Sequence, residues 1–388
     1  MMNRRALAAG LAISLLGACA TGQRSPQTNP PRTAWRQIDA AVASRVSAHR
    51  YAGTVFAIAR GDAVLHEAAV GYADIGAATP MRRDTLFPQM SLTKVVTAVG
   101  VMVLVDEGKI NLDAPVRQYL PELAGYELEG APVTVRHLLT HTSGFGVFGS
   151  IPPATPDLTL AQRVQQLAEK HPSIRPGTRW QYSAFDGFDI LARTIEVTSG
   201  QDYAAFLRAR VFDPLGMHDA TFSPTPAQRR RIAKLYGEHD GQLQPATAPF
   251  AMPAYPAGGG GLYASADDML RLAQMLANHG ARGNVRVLSA AAVAAMRSQQ
   301  LAPNFPGLSP GLAWGLGVRV MGDPEAAHSA LNRGAFGWSG AYGTHLWVDP
   351  NTGVAAVWMI CTATGGGAGS PHAEEFEHWV MAALSQTA

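Results

Sequence analysis

The stretch Val95-Val96-Thr97-Ala98-Val99-Gly100-Val101-Met102-Val103-Leu104-Val105 is apolar on every side of a helix. Such a helix has no solvent face, so a core has to be built around it. Asp106-Glu107-Gly108 ends it, with Gly108 as the residue that turns the chain out. Ser91-Leu92-Thr93-Lys94 stands directly before the run, which puts Ser91 in the first turn of a buried helix. Residues three apart share a helix face, so the Ser91 hydroxyl and the Lys94 amine can meet. A serine hydroxyl is a weak nucleophile until a base takes its proton. A lysine in a dry site loses the water that stabilises its charge, so its pKa falls and it can be that base. The helix N-terminus adds N–H donors suited to a developing oxyanion. A serine cap followed by a solvated lysine would give the same pattern, but Lys94 heads a run too apolar for a surface helix.

The chain has 388 residues, 47% hydrophobic and 15% charged, enough for one or two domains with a substantial core. Its net charge of +2 gives no electrostatic case for nucleic acid. The 12 histidines raise the question of metal, yet there is no His-Glu-x-x-His and no Cys-x-x-Cys. His137 and His141 lie where a helix end runs into a turn, and read as packed or capping side chains. The sequence therefore calls for no metal and no cofactor.

The N-terminal segment reads as an address. Arg4-Arg5 precede a short apolar stretch, Ala6 to Leu16, too short for a membrane span with these flanks. Leu16-Gly17-Ala18-Cys19 resembles the bacterial lipobox, which implies lipidation at Cys19 after removal of residues 1–18. Ala20 in place of Asp implies, by the same resemblance, a lipid anchor in the outer membrane facing the periplasm. Residues 19–33, rich in Pro, Gln, Thr and Asn, read as a tether. Cys361 then has no disulfide partner and reads as a small core residue.

The catalytic domain is expected over 34–388. Trp35, Ile38, Val42 and Val46 give an amphipathic helix. Thr54–Arg60, the turn Gly61-Asp62 and Ala63–Gly71 give a hairpin. Helical and loop-like signals fill the middle, with helices at Leu160–Lys170 and Phe185–Thr198. Gly258-Gly259-Gly260-Gly261 has no phosphate-cradle spacing and reads as a flexible loop. Ser265 caps a helix to about His279. Leu312–Met321 reads as one strand, Gly343–Val348 and Val354–Cys361 as a hairpin, and Pro371–Gln386 as a closing helix. Strands at both ends predict one antiparallel sheet assembled from both ends of the chain, an α+β fold. The sheet lobe would take about 34–90 and 260–388, and a mostly helical lobe about 91–259, with the cleft between them. Phe145–Pro156 and Met252–Pro256 are possible cleft walls.

Further motifs follow Ser91-x-x-Lys94 in order: Leu138-Leu139-Thr140-His141-Thr142-Ser143-Gly144, Pro176-Gly177-x-x-x-x-Tyr182-Ser183 and Phe336-Gly337-Trp338-Ser339-Gly340. Together they resemble the serine β-lactamase and penicillin-binding-protein superfamily. Within it they are most similar to the class C branch and to the family VIII carboxylesterases. The resemblance spans about 35–385 and implies a β-lactamase/transpeptidase-like fold, an antiparallel sheet flanked by helices plus the helical lobe. It implies that Ser91 is the nucleophile, Lys94 its base, and Tyr182 the proton shuttle to the leaving group. A nearby ammonium favours a phenolate, so Lys94 and Tyr182 are expected to share a proton. Trp338, Ser339 and Gly340 would form the substrate-binding wall, and the N–H groups of Ser91 and Ala341 the oxyanion hole.

Two departures from the family pattern bear on substrate. Trp338 stands where the third motif carries a lysine, and an indole cannot pair with a substrate carboxylate. Ala184 stands in place of an asparagine whose amide orients acyl-amide substrates. Both losses leave hydrolysis of a small neutral ester untouched. The expectation is a serine hydrolase that forms an acyl-enzyme on short acyl esters. The alternatives are a β-lactamase, D-aminopeptidase or DD-peptidase acting on amides, an acyltransferase, or a non-catalytic penicillin-binding-like module. Gly307-Leu308-Ser309-Pro310-Gly311 fits the Gly-x-Ser-x-Gly of α/β-hydrolases, but Pro310 lacks the N–H which that oxyanion hole requires.

Overall fold

Strands from the two ends of the chain meet in one sheet. The computed structural model describes residues 29–145, 158–248 and 252–386, so Cys19 and residues 146–156 of one possible cleft wall lie outside the described residues. From the N-terminal end come β1 (Gly53–Arg60), β2 (Ala63–Asp74) and the short β3 (Thr79–Pro80). From the C-terminal end come β4 (Leu312–Trp314), β5 (Arg319–Met321), β6 (Phe336–Ser339), β7 (His345–Asp349) and β8 (Val354–Met359). The order is β4-β5-β6-β7-β8-β1-β2-β3, and the pairs are antiparallel. The seam is β1 on β8, with Val55 opposite Met359 and Arg60 opposite Val354.

Both faces of the central strands are buried, which is why β1 and β8 read as continuous apolar runs. Val55, Ala57 and Val357 face one core, and Phe56, Ile58 and Trp358 face the other. The second core is closed by α1 (Arg32–Ser47), through Trp35, Ile38 and Val42, and by the C-terminal helix Pro371–Ser385, through Phe376 and Val380. Burying each such side chain contributes about 1.5–3 kcal/mol. The first core holds α2 (Thr93–Asp106), whose residues Thr93 to Leu104 are all buried. Gly108 follows at φ 68°, in the left-handed turn that ends the helix. Three further helices matter for the site: α3 (Val135–Leu139), α4 (Leu160–Leu167) and α5 (Asp186–Ser199). Helix α6 (Ala266–Ala277) packs on the sheet beneath β1, β7 and β8, and Ser265 caps it by accepting from the Asp268 N–H.

Three expectations need correction. Leu312–Met321 is not one strand but the hairpin of β4 and β5, with Leu312 opposite Met321. Gly317 takes φ 77° in its turn and donates to Leu139 O, so the chain reverses onto α3. Ser91 lies in a short 3₁₀ turn, Met90–Leu92, that leads into α2 rather than in its first turn. The glycine run 258–261 is a packed loop, not a free one. A Cβ at Gly258 would sit 2.1 Å from Phe188 O, and one at Gly259 2.7 Å from Phe185 Cα, so only glycine lets this backbone press onto the start of α5. Within 252–256, Tyr255 is buried and the residues on either side of it are partly or fully exposed.

Candidate active site

Ser91 is held by strain on one side and packing on the other. Met90 before it sits at φ 46°, a left-handed conformation that costs a non-glycine residue about 1–2 kcal/mol. Gln89 is buried and donates to Phe87 O and Ala264 O, tying the turn to the short pairing of Phe87–Pro88 with Tyr263–Ala264. Three residues on, Lys94 is 1% exposed at the start of α2. Its amine donates to Ser91 Oγ at 3.3 Å, to Ala184 O at 2.5 Å and to Gly259 O at 2.6 Å. The rings of Tyr182, Phe188 and Phe185 lie 5.1, 5.5 and 5.8 Å from the nitrogen. Burial lowers the amine from the usual lysine range to about 7, against the opposing pull of the Asp189 carboxylate. A lysine poised near neutrality on a serine hydroxyl can take its proton.

Tyr182 hydrogen-bonds Ser91 and accepts from the Trp338 indole N–H at 3.2 Å. Burial pushes its hydroxyl up to about 12, although both hydrogen bonds work the other way. The resting tyrosine is therefore neutral and the lysine is the group near its midpoint, so the proton that the pair is expected to share rests on Tyr182. Desolvation is the dominant cause, with the Lys94 nitrogen 5.1 Å from the ring centroid.

The third motif is bound directly to the serine's turn. A Cβ at Gly340 would sit 2.2 Å from Gln89 O, so β6 can pass there only with glycine, and Thr344 Oγ1 donates to the same carbonyl at 3.0 Å. The bond from Gly343 N–H to Gly340 O closes a turn with Ala341 at its first corner. Ala341 thus follows the strand that packs on the segment leading into Ser91. Trp338 is buried edge-on against Trp314 at 4.8 Å. With Trp180, Trp314, Leu308 and Arg319 it borders a cavity of about 320 Å³. Ser339 points to the opposite face of the sheet and bonds His345 Nδ1 at 2.8 Å. Ser309 is exposed at the rim of the cavity, in a loop where its carbonyl takes the Leu312 N–H, not at a strand-to-helix elbow.

Several members of this assembly were not legible as such. The carbonyls of Ala184 and Gly259 bind the amine through backbone, which no residue type announces. His141 does more than pack. Its carbonyl takes the Gln181 N–H at 2.8 Å and its Nδ1 the Ser183 N–H at 3.0 Å, so it grips the chain on both sides of Tyr182. Burial, and secondarily the Lys94 charge, hold its imidazole well below the usual range, which keeps it neutral. His137 closes a capping box with Thr134. Cys361 is buried, and burial pushes its thiol up to about 12.

The Beta-lactamase family model matches residues 38–375. Esterase EstB of Burkholderia gladioli is 34% identical over 370 residues, covering 86% of this chain and 92% of that protein. Penicillin-binding protein 4 of Amycolatopsis lactamdurans is 34% identical over 301 residues, covering 76% and 77%. A solved structure of EstCE1, described as a hydrolase with promiscuous acyltransferase activity, aligns with a TM-score of 0.78 at 25% identity, over 92% of this chain and 98% of that one. With the family motifs in order along nearly the whole matched length, the chain belongs to the β-lactamase family and is a serine hydrolase.

Proposed function

We propose that the protein is a carboxylesterase that works through an acyl-enzyme at Ser91. The neutral fraction of Lys94 takes the Ser91 proton as Oγ attacks the ester carbonyl carbon. The N–H groups of Ser91 and Ala341 receive the oxyanion, each worth a few kcal/mol in such sites. Tyr182, neutral at rest and in contact with Ser91, gives its proton to the departing alkoxide and is recharged from Lys94. A water then attacks the acyl-enzyme carbonyl, losing its proton to the same pair, and Ser91 is released.

The observation that carries the ester reading is the indole of Trp338, whose N–H is committed to Tyr182. The wall therefore offers no cation at that position for a substrate carboxylate. Arg319, which lines the cavity beside Trp338, donates to Glu377 at 3.1 Å. The name of the EstB relative supports the same reading. The test compares p-nitrophenyl butyrate with nitrocefin. Expected is a kcat/KM at least ~100-fold higher for the ester. Comparable turnover of nitrocefin would overturn the preference.

Tyr182→Phe keeps the ring and removes the transferable proton. We expect kcat for the ester to fall by ~10²-fold or more with KM changed little, the range for loss of one acid–base group. A change confined to KM would make Tyr182 a substrate contact instead. Export and a lipid anchor at Cys19, on the outer membrane facing the periplasm, belong to the same proposal and are supported by Leu16-Gly17-Ala18-Cys19.

A further inference from the structure

A buried charge cluster lies behind Lys94, and the chemistry above does not use it. Asp189, in the first turn of α5, is 0% exposed. Its carboxylate accepts the Tyr255 hydroxyl at 2.7 Å and the Gly259 N–H at 3.4 Å. Arg163 of α4 approaches it at 3.8 Å and donates to Asp186 at 2.7 Å, which also receives Lys170 at 3.1 Å. Gly259 gives its N–H to Asp189 and its carbonyl to Lys94. One glycine thus joins the buried carboxylate to the buried amine. The other carbonyl on Lys94, Ala184 O, would lie 2.8 Å from a Cβ at Gly259, so both carbonyls belong to one tight backbone contact.

We propose that Asp189 is a positioning residue for Lys94: it fastens the 258–261 loop to α5, so that two carbonyls cage the amine, and supplies a compensating negative charge behind that cage. The inference rests on Lys94 being the base and deepens that reading. The groups bearing on Lys94 are Ser91 from its own turn, Tyr182 and His141 from the neighbouring segments, and Asp189 from α5, with Arg163 and Asp186 beyond it. Tyr182 is held neutral from above its range and His141 from below. Among the described residues, Asp189 is the anion that keeps the proton on Lys94 against burial. Burial raises its own carboxyl to about 6, so it is mostly charged at neutral pH.

Without the negative charge the ammonium is harder to form, so the neutral base persists to lower pH. The acid limb of kcat/KM, which reports the free enzyme's base, should then move down. The experiment is Asp189→Asn, with kcat/KM for p-nitrophenyl butyrate measured across pH alongside thermal melts. Expected is an acid limb lower by about one pH unit, with a reduced plateau because a weaker base takes the Ser91 proton less readily. Tyr255→Phe removes a donor that stabilises the carboxylate, and should move the limb the same way by less. A lower plateau and melting temperature with the limb unmoved would make Asp189 a structural pillar only, and overturn the proposal. If Asp189→Asn does not fold, an unmoved limb in Tyr255→Phe decides against it. Lys94→Met separates the two levels. Wild-type activity there would remove the reading beneath, whereas an inactive Lys94→Met beside an unmoved limb sinks only the role of Asp189.

Discussion

Ser91→Ala is expected to lower kcat/KM for p-nitrophenyl butyrate by ~10⁴-fold or more, the scale seen when a nucleophile is removed from a working group of residues. The loss should fall on kcat, because Oγ forms its bond only on the way to the acyl-enzyme. Labelling by a fluorophosphonate should disappear with it. Folding should survive, since Ser91 is only partly buried and its backbone bonds do not depend on the hydroxyl. Ser309→Ala is the control. Its hydroxyl is exposed on a loop, and the next residue, Pro310, offers no N–H to an oxyanion. Its rate should stay within about two-fold of wild type, as for surface changes away from the chemistry. If Ser91→Ala keeps activity and label while Ser309→Ala loses both, the assignment built on the Ser91 turn is wrong.

Ser91, Lys94, Tyr182 and Trp338 were legible because each belongs to a local pattern, and the buried helix α2 because its run has no polar side. The two-ended sheet was legible for a related reason: strand signals at both ends leave the middle to make the helical lobe. What escaped depends on contacts between distant segments. The 258–261 run looks the same as sequence whether the chain is loose or pressed on Phe188 O. Leu312 to Met321 alternates well enough for one strand, and only the bonds of Leu316 and Gly317 to Met296 O and Leu139 O explain the reversal between them. Which of the two holds the shared proton at rest was not legible, because proximity of Tyr182 to Lys94 shows in the motifs while the desolvation that keeps the proton on Tyr182 does not. Asp189 lies seven residues beyond Tyr182 in a helical pattern, where an acidic residue in a first turn is ordinary. Its meaning comes from Gly259, far along the chain.

Lys94→Met keeps an unbranched side chain of similar length and removes the amine. Turnover of p-nitrophenyl butyrate should fall by ~10³-fold or more, since no other described group near Ser91 is a base close to its midpoint at neutral pH. Lys94→Arg should be as inactive, because a guanidinium does not give up its proton. Stability should move with pH in a way that identifies the amine. In the unfolded chain Lys94 titrates at the ordinary lysine value of 10.5, and in the fold at about 7. Between those values the unfolded state binds the extra proton, so rising pH stabilises wild type relative to Lys94→Met. The charged amine costs the fold most below about 7, by an amount on the order of a few kcal/mol at most, and the cost fades towards 10.5. The Lys94→Met change also leaves two carbonyls without their donor, about 1–3 kcal/mol each, but that loss does not change with pH. Denaturant unfolding of both proteins at about pH 7 and about pH 9 isolates the titrating part. Wild type should gain on the variant over that interval. A difference that stays flat would mean that the buried amine titrates as in water, and Lys94 would then be too protonated at neutral pH to serve as the base of Ser91.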